Sequence, residues 1–506
     1  MIALAGMVSR LSVVQIGTGL FLSTGSALAS AGPLGLLLAY ILMGAVTACI
    51  AYISAELSAF IPLSGGFIRH TALYIDKSTA MVVGWDFAYT MAVTMPAEIT
   101  AATNLIGFWN PKITPAMGIT IFWAGIVFIN FCPVRWYGES EYFFALLKIA
   151  LIVGLILGGL ILDLGGVKGQ ERIGFRYWKA PYEPIIAQFT TGAAGRFLSF
   201  WNVMISAAFA YNNVQVVATA GAETRDPRRS IPRAVKTTFW RVAIFYIISV
   251  LIMGMIVPAN ALDLVDKSGT AASPFVIAFD RAGVKVLPSI INAVILTSAF
   301  SSGNSCTFLA SRTMYGLALD GFAPSVFLRV SRWGVPYVCV FVSSLFGSLA
   351  YLSLGATAMQ AFGWLVNIVT TAGLIAWCVI CITFIRFERG MRIQGISRTR
   401  LPYKAPLQPY LTWFASIVIT LILLFCGFSA FTPTFSYSAF LTNYLNVLIF
   451  IPAWIIVKLV RRDRPIAYAD MDLEGPLRTW EEEKDLNADS IYGRLSTWEK
   501  LLNKFL

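Results

Sequence analysis

Ile16-Gly17-Thr18-Gly19-Leu20-Phe21 is a glycine-flanked break in the middle of the first long apolar segment of this chain. Glycine loosens a helix, and a loosened helix in a bilayer frees backbone groups that lipid cannot satisfy. Half-helix ends at the bilayer midplane present bare N–H groups with a positive dipole, which secondary transporters use to hold an anionic group such as a carboxylate. The same glycines also suit a simple kink or the close packing of two helices across small residues. The stretch therefore decides between a membrane bundle built around a broken helix and one built of continuous helices.

Working outward from the break, the composition is that of a membrane protein: 506 residues, 57% hydrophobic and 13% charged, with a mean hydropathy of +0.72. No soluble globular domain is built this way. Apolar stretches long enough to cross roughly 30 Å of hydrocarbon recur along nearly the whole chain. About twelve spans are expected, near residues 2–29, 33–60, 79–109, 116–132, 142–162, 197–220, 240–258, 287–309, 336–354, 361–385, 411–431 and 439–460. Residues 1–460 then form the transmembrane domain and 461–506 a polar cytoplasmic tail, with Arg461-Arg462-Asp463-Arg464-Pro465 closing the last span. Ile491 to Leu506 reads either as a short amphipathic helix on the inner face or as an untethered tail.

The net charge of +12 raises the question of nucleic acid, but the basic residues follow alternate loops and form no continuous face. Arg225, Arg228, Arg229, Arg233 and Lys236 follow the sixth span, and Arg386, Arg389, Arg392, Arg398, Arg400 and Lys404 follow the tenth. With both termini cytoplasmic, these loops and the Arg312 to Arg332 connection fall inside, as the positive-inside rule requires. The 163–196 loop, with Lys168, Arg172, Arg176 and Lys179, falls outside against that rule, although it also carries Asp163, Glu171 and Glu183. All seven cysteines lie within or at the ends of spans, which indicates no disulfide framework. Cys378-Val379-Ile380-Cys381 reads as small apolar filler in a helix. The lone His70 lacks ligand partners, so no metal is expected. The first apolar stretch has neither a basic n-region nor a cleavage-like boundary and is not read as a cleavable signal.

Several motifs together resemble one family. They are Ile16 to Gly25, Ser64-Gly65-Gly66-Phe67, Pro96-Ala97-Glu98-Ile99, the run Ala220-Gly221-Ala222-Glu223-Thr224-Arg225-Asp226-Pro227-Arg228-Arg229-Ser230-Ile231-Pro232-Arg233, Ser301-Ser302-Gly303-Asn304-Ser305 and Ser311 to Pro324. The chain resembles the fungal amino acid permeases of the amino acid-polyamine-organocation superfamily. The resemblance implies an all-α integral membrane fold of the LeuT type: two inverted five-helix repeats, about 1–162 and 197–385, discontinuous helices 1 and 6, and two extra helices over 411–460. An inverted repeat places broken helices at corresponding positions in each half. The second break is expected near Tyr211-Asn212-Asn213-Val214, where adjacent asparagines interrupt an apolar segment and need partners, either ligand in an unwound stretch or other helices. The family often has Gly-Thr-Glu where this chain has Asn213-Val214-Gln215, so a carboxylate is missing here.

Charged residues inside a membrane are functional candidates because each costs a few kcal/mol to place there. Lys148 sits two turns into the fifth span. In sodium-independent relatives a lysine here resembles a fixed substitute for a sodium ion bracing the first and eighth spans, and burial lets a lysine release and rebind a proton; snorkelling to the interface is the bland alternative. Glu98, at the family's Pro-x-Glu position, is expected either to carry a proton or to hold helices together. Glu56 is expected to pair with a loop arginine. The Glu223, Arg225, Arg228 and Arg229 run reads as a cytoplasmic gate brace, with Asp226-Pro227 and Ile231-Pro232 stopping and restarting helices. Among aromatics, Tyr211, Phe300 and Trp364 are placed for ligand contact.

The expected function is secondary active transport of an amino acid across the plasma membrane by alternating access, with proton symport and no cofactor beyond the proton gradient. The chain is not expected to be an enzyme, and its partners are a small-molecule amino acid, the proton and lipid, with no nucleic acid. The substrate site is expected from Gly17, Thr18, Gly19 and Leu20, whose amides take the carboxylate, and from Tyr211, Asn212, Asn213, Gln215 and Phe300, with freed carbonyls near Tyr211 taking the amino group. The alternatives are a carrier for choline, 4-aminobutyrate or a polyamine, and a non-transporting amino acid sensor. Relatives run almost directly into Ile-Gly-Thr-Gly, whereas Val8 to Gln15 intervenes here, an addition of roughly 12 Å and about 80° of turn if helical. This is either a genuine insertion or an error of the gene model.

Overall fold

The computed structural model describes residues 18–109, 113–167, 171–220, 227–261, 264, 273–284, 286–355, 358–432 and 434–491. Val8 to Gln15 therefore lies outside the described residues. A 3-10 turn, Thr18–Leu20, leads into α1, Ser23–Phe60, which holds the part of the first span after the break and all of the second. Between them Gly32 stands at φ +75°, and the Pro184 carbonyl oxygen lies 2.7 Å from where a Cβ would be, so only glycine fits. Leu34 N–H donates to Pro184 O at 2.9 Å and Ile186 N–H to Ala31 O at 3.2 Å. The loop between the fifth and sixth spans thus pairs backbone groups that Pro33 and the turn leave unpaired.

The chain continues through α2, Phe67–Tyr74; α3, Lys77–Ile106, N-capped by Asp76, whose carboxylate accepts Thr79 N–H; α4, Pro115–Phe131; and α5, Val134–Asp163. The sixth span is α6, Gly192–Asn202, α7, Met204–Ala210, and α8, Val216–Ala220. Then come α9, Pro227–Ile256; α10, Pro274–Arg281; α11, Leu287–Leu319; α12, Tyr337–Leu345, prolonged by a 3-10 stretch, Phe346–Leu354; α13, Ala358–Ile393; α14, Tyr410–Phe425; α15, Tyr437–Arg461; and α16, Glu474–Ile491. Every expected span has a helix, and the described residues contain no strand. Ile231-Pro232 does not restart a helix as expected. Pro227 opens α9, where its missing N–H costs nothing, and Pro232 is carried inside the same helix just past the first turn.

Helices α3 and α11 pack against each other over most of their length, and α1 does the same with α9. Neither α3 nor α11 is apolar enough to be recognised as a span by length and hydropathy, because each carries a line of hydroxyls and carboxyl or amide groups. That polarity faces the interior: Thr90, Thr94, Glu98, Ser301, Ser302, Asn304 and Ser305 are all buried. Conversely α15 exposes Leu448, Ile449, Ile451, Ile455, Ile456, Leu459 and Val460, an apolar surface turned away from the bundle.

Residues 462–482 of the tail are tied to the bundle and are not wholly polar, whereas the stretch read as an amphipathic helix or an untethered tail, Ile491 to Leu506, lies outside the described residues after Ile491. Ile466 N–H donates to Ile75 O at 2.9 Å, and Arg386 donates from Nε to Tyr74 O at 2.6 Å and from Nη2 to Ile466 O. Gln394 Nε2 donates to the carbonyls of Tyr468 and Met471, each at 2.8 Å. Met471, Leu473 and Leu477 are buried. Arg400 bridges Glu474 at 3.2 Å and Glu481 at 3.0 Å. Residues 462–482 therefore form a strap over the ends of α2, α13 and α9, while residues 492–506 lie outside the described part.

Candidate functional site

The two expected breaks meet. In the first, the hydroxyls of Ser23 and Thr24 turn back to the carbonyls of Gly19 and Leu20, the latter at 2.8 Å, and the N–H groups of Phe21 and Leu22 are committed to Thr18 O. In the second, α7 stops at Ala210 and the helix resumes at Val216. Asn213 adopts φ +69°, a left-handed conformation that asparagine tolerates better than most residues, and its N–H takes the side-chain oxygen of Asn212 at 2.9 Å in place of a helical carbonyl. A Cβ on Gly19 would lie 2.9 Å from Phe209 Cδ1 and 3.2 Å from Ala210 Cα. Glycine at 19 is what lets the end of α7 rest on the first break.

The side chains around the second break divide. Asn212 reaches α13, where a Cβ on Gly373 would come within 2.6 Å of its Oδ1. Gln215 accepts a hydrogen bond from Trp377 Nε1 at 2.8 Å. The Tyr211 ring does not face the first break: it is sandwiched between Tyr40 and Tyr246 at centroid distances of 5.9 and 5.1 Å, turned into the α1–α9 side of the bundle. Only its main chain remains at the break. Phe300 is not brought to the breaks; it packs on Phe122, Phe144 and Gly125 of α4 and α5, on the opposite face of α11. Trp364 is half-buried in α13.

A buried acidic hub adjoins the first break. Glu98 is 2% exposed, lies beside Thr18 and accepts a hydrogen bond from Ser302 at 2.9 Å. Lys148 is 1% exposed, which removes the snorkelling alternative, and its Nζ is 3.7 Å from Glu141 Oε1. Glu141 accepts from Ser301 at 2.9 and 2.8 Å and from Ser305 at 3.0 Å. Asn130 Nδ2 donates to Asn304 Oδ1 at 2.8 Å. The stretch 301–305 thus connects three helices, with Ser301 and Ser305 serving Glu141 on α5, Ser302 serving Glu98 on α3 and Asn304 serving Asn130 on α4. The sequence reading assigned no role to Glu141; the only hint was its placement two turns before Lys148 on one helix face.

The family model described as Amino acid permease matches residues 6–467. The chain belongs to that family. Among the permease's relatives, it is 34% identical to the dicarboxylic amino acid permease of Saccharomyces cerevisiae, over 97% of this chain and 83% of the relative. It is 36% identical to the basic amino-acid permease of the same yeast, over 95% and 83%, and 37% identical to the proline-specific permease of Emericella nidulans, over 86% and 80%. Its fold is similar to that of the Eremococcus coleocola manganese transporter, with a TM-score of 0.55 at 15% identity, covering 91% of this chain and 95% of that chain. The permease is accordingly an integral membrane transporter of amino acids and not an enzyme.

Elsewhere on the permease, Gly17, Glu223 and Arg225 lie outside the described residues. Arg228 is buried at the start of α9, with its guanidinium 5.7 Å from the Trp480 ring of the strap, and Arg229 is exposed. Glu56 pairs with a loop arginine: Arg398 Nη2 reaches both of its oxygens at 2.7 Å, and Ala405 N–H adds a third contact at 2.7 Å. His70, in the α2 loop helix, donates from Nε2 to Ile61 O at 2.8 Å, and burial pushes the imidazole down to about 4. Among the described residues no cluster of three or more histidine, cysteine, aspartate or glutamate side chains is placed to hold a metal ion.

Proposed function

We propose that this permease is a proton-coupled amino acid symporter of the plasma membrane, working by alternating access around the two breaks. The substrate carboxylate binds the amides of Gly17 to Leu20 at the first break, and the amino group binds carbonyls freed over 211–215. Asn212, Asn213 and Gln215 shape the second wall, while Tyr211 contributes its main chain. The basic face, with α2, the Arg228 end of α9, the Arg398–Arg400 loop and the strap, is cytoplasmic, as the positive-inside rule requires.

The observation that carries the reading is the position of Glu98 beside Thr18. A carboxylate of the protein already sits at the helix end where a substrate carboxylate would bind. Two negative charges about 4 Å apart repel by roughly 4 kcal/mol at an effective dielectric of 20. A proton on Glu98 removes that repulsion, so proton and substrate bind together or not at all. Uptake of a labelled amino acid panel by cells lacking their own permeases, at pH 5 and 7.5 and with a protonophore, tests this. Acid-stimulated, protonophore-sensitive accumulation by the wild type, with Glu98→Gln transporting at a rate independent of pH, is the expected result. No uptake of any amino acid or organic amine by protein at the surface overturns the reading and leaves a sensor.

A further inference from the structure

A cavity of about 320 Å³ lies between α1, α6, α7, α13, α14 and α15, apart from the acidic hub. It adjoins the start of α13, whose other end carries Arg386 and Gln394 and holds the strap, so it sits at the opposite end of the bundle. Seven of its twelve lining residues are serine or asparagine, and none is charged. Among the described residues the side chains of Asn202, Ser206, Asn367 and Ser429 make no hydrogen bond to the protein. Lipid tails cannot satisfy such groups, and cavities that stay empty are apolar ones, so this one holds water or a ligand that hydrogen-bonds. Its wall is built in advance. A Cβ on Gly427 would run into the Tyr444 ring, Tyr444 Oη donates to Leu424 O at 2.8 Å, and Phe428 meets Phe189 edge-on with centroids 5.0 Å apart. These contacts fix the turn that carries Cys426 and Ser429.

The volume is at the low end of the roughly 300–1,000 Å³ of small-molecule sites, room for one free amino acid. A wall without charge offers no counter-ion to a cationic or anionic ligand. Serine hydroxyls and asparagine amides each donate and accept, so they meet both ends of a zwitterion. We infer that this cavity is a second binding site, for a net-neutral amino acid, formed in part by α14 and α15 and distinct from the site at the two breaks. Two contacts join it to the first break. Ser23 lines the cavity and its hydroxyl donates to Gly19 O. Phe362 also lines it and lies edge-on to Phe209, the ring that restricts Gly19. An occupant that shifts either contact changes the affinity at the breaks, and by linkage a substrate at the breaks changes the affinity of the cavity by the same factor. The inference rests on the permease reading for the choice of ligand and is independent of proton coupling.

The test is protection from alkylation in the purified full-length protein, with Ser429→Cys combined with Cys426→Ala and N-ethylmaleimide as a small uncharged reagent. Labelling at position 429, read by mass spectrometry, is expected to slow in the presence of alanine, serine or glutamine, by about tenfold at ten times the half-protective concentration. Lysine and glutamate should protect far less. Labelling that none of the three neutral amino acids slows, or that all five slow alike, overturns the proposal. A Cβ on Gly363, which also lines the cavity, would meet no atom within 4 Å, so Gly363→Trp fills the space without a clash at the backbone. Equilibrium binding of the protecting amino acid in radiolabelled form needs no introduced thiol. It should give two molecules per chain in the wild type and one in Gly363→Trp. One molecule per chain in both overturns the proposal, because protection then reports the breaks from a distance. Protection and two-site binding without uptake in cells refute transport and keep the cavity, whereas acid-stimulated uptake without protection refutes the cavity and keeps symport.

Discussion

Replacing Gly19 by alanine tests whether the two breaks form one site. The added Cβ would stand 2.9 Å from Phe209 Cδ1 and 3.2 Å from Ala210 Cα, against an ordinary carbon–carbon separation of about 3.5–4.0 Å. The phenyl ring has limited room to retreat, since it is edge-on to Phe362 with centroids 6.3 Å apart, and Ala210 Cα is backbone. The end of α7 must therefore move off the first break by several tenths of an ångström. Overpacking of this kind costs about 1–3 kcal/mol, which corresponds to roughly 5- to 150-fold in an equilibrium constant. The strain appears only when the breaks are closed on each other, so it should raise the half-saturating substrate concentration by that factor at unchanged surface abundance. Adding Phe209→Leu to Gly19→Ala relieves the tighter contact and should recover part of the loss. Uptake measured as a function of substrate concentration in permease-deficient cells decides the matter. A Gly19→Ala protein with the wild-type concentration dependence would refute the claim that this contact closes the site.

Gln215→Glu keeps the acceptor for Trp377 and adds a negative charge beside the second break; competition assays should show a shift in preference toward cationic amines. Arg398→Ala strips Glu56, itself 0% exposed, of its bidentate partner, and a buried charge left this way costs about 3–5 kcal/mol; melting of the purified protein should fall by several degrees or surface delivery should fail. For His70, the folded imidazole titrates near 4 and the unfolded one near 6.5, so the unfolded state binds the proton first. Stability is unaffected above about pH 6.5 and is lost as pH falls toward 4, by about 2 kcal/mol at pH 5; His70→Gln should flatten that slope in melts at pH 7 and 5. Arg400→Ala should loosen the strap without stopping transport, seen as faster proteolysis within residues 474–491.

The second break was legible because two adjacent asparagines in an apolar run leave few alternatives to unwinding, and the helix does stop two residues before them, at Ala210. The direction of the Tyr211 side chain was not legible, because a broken helix has no fixed rotation from which to project a ring. Phe300 misled for the opposite reason: α11 is regular, but only packing shows that its Glu98-facing side and its Phe300 side differ. Glu141 was hidden by chain distance, since its donors Ser301 and Ser305 stand 160 and 164 residues away. The strap was missed because its apolar residues, Met471, Leu473 and Leu477, sit in a segment whose average polarity is high.

That strap bears on the order in which the protein is assembled. Residues 466–477 leave the ribosome after the helices of the bundle described above, yet they supply acceptors for Arg386 and Gln394 and cover the apolar surface beside Gly390. During synthesis these groups wait open on the membrane-inserted bundle. A chain lacking the strap leaves these groups uncovered, so the basic face is complete only once residues 466–477 have been made.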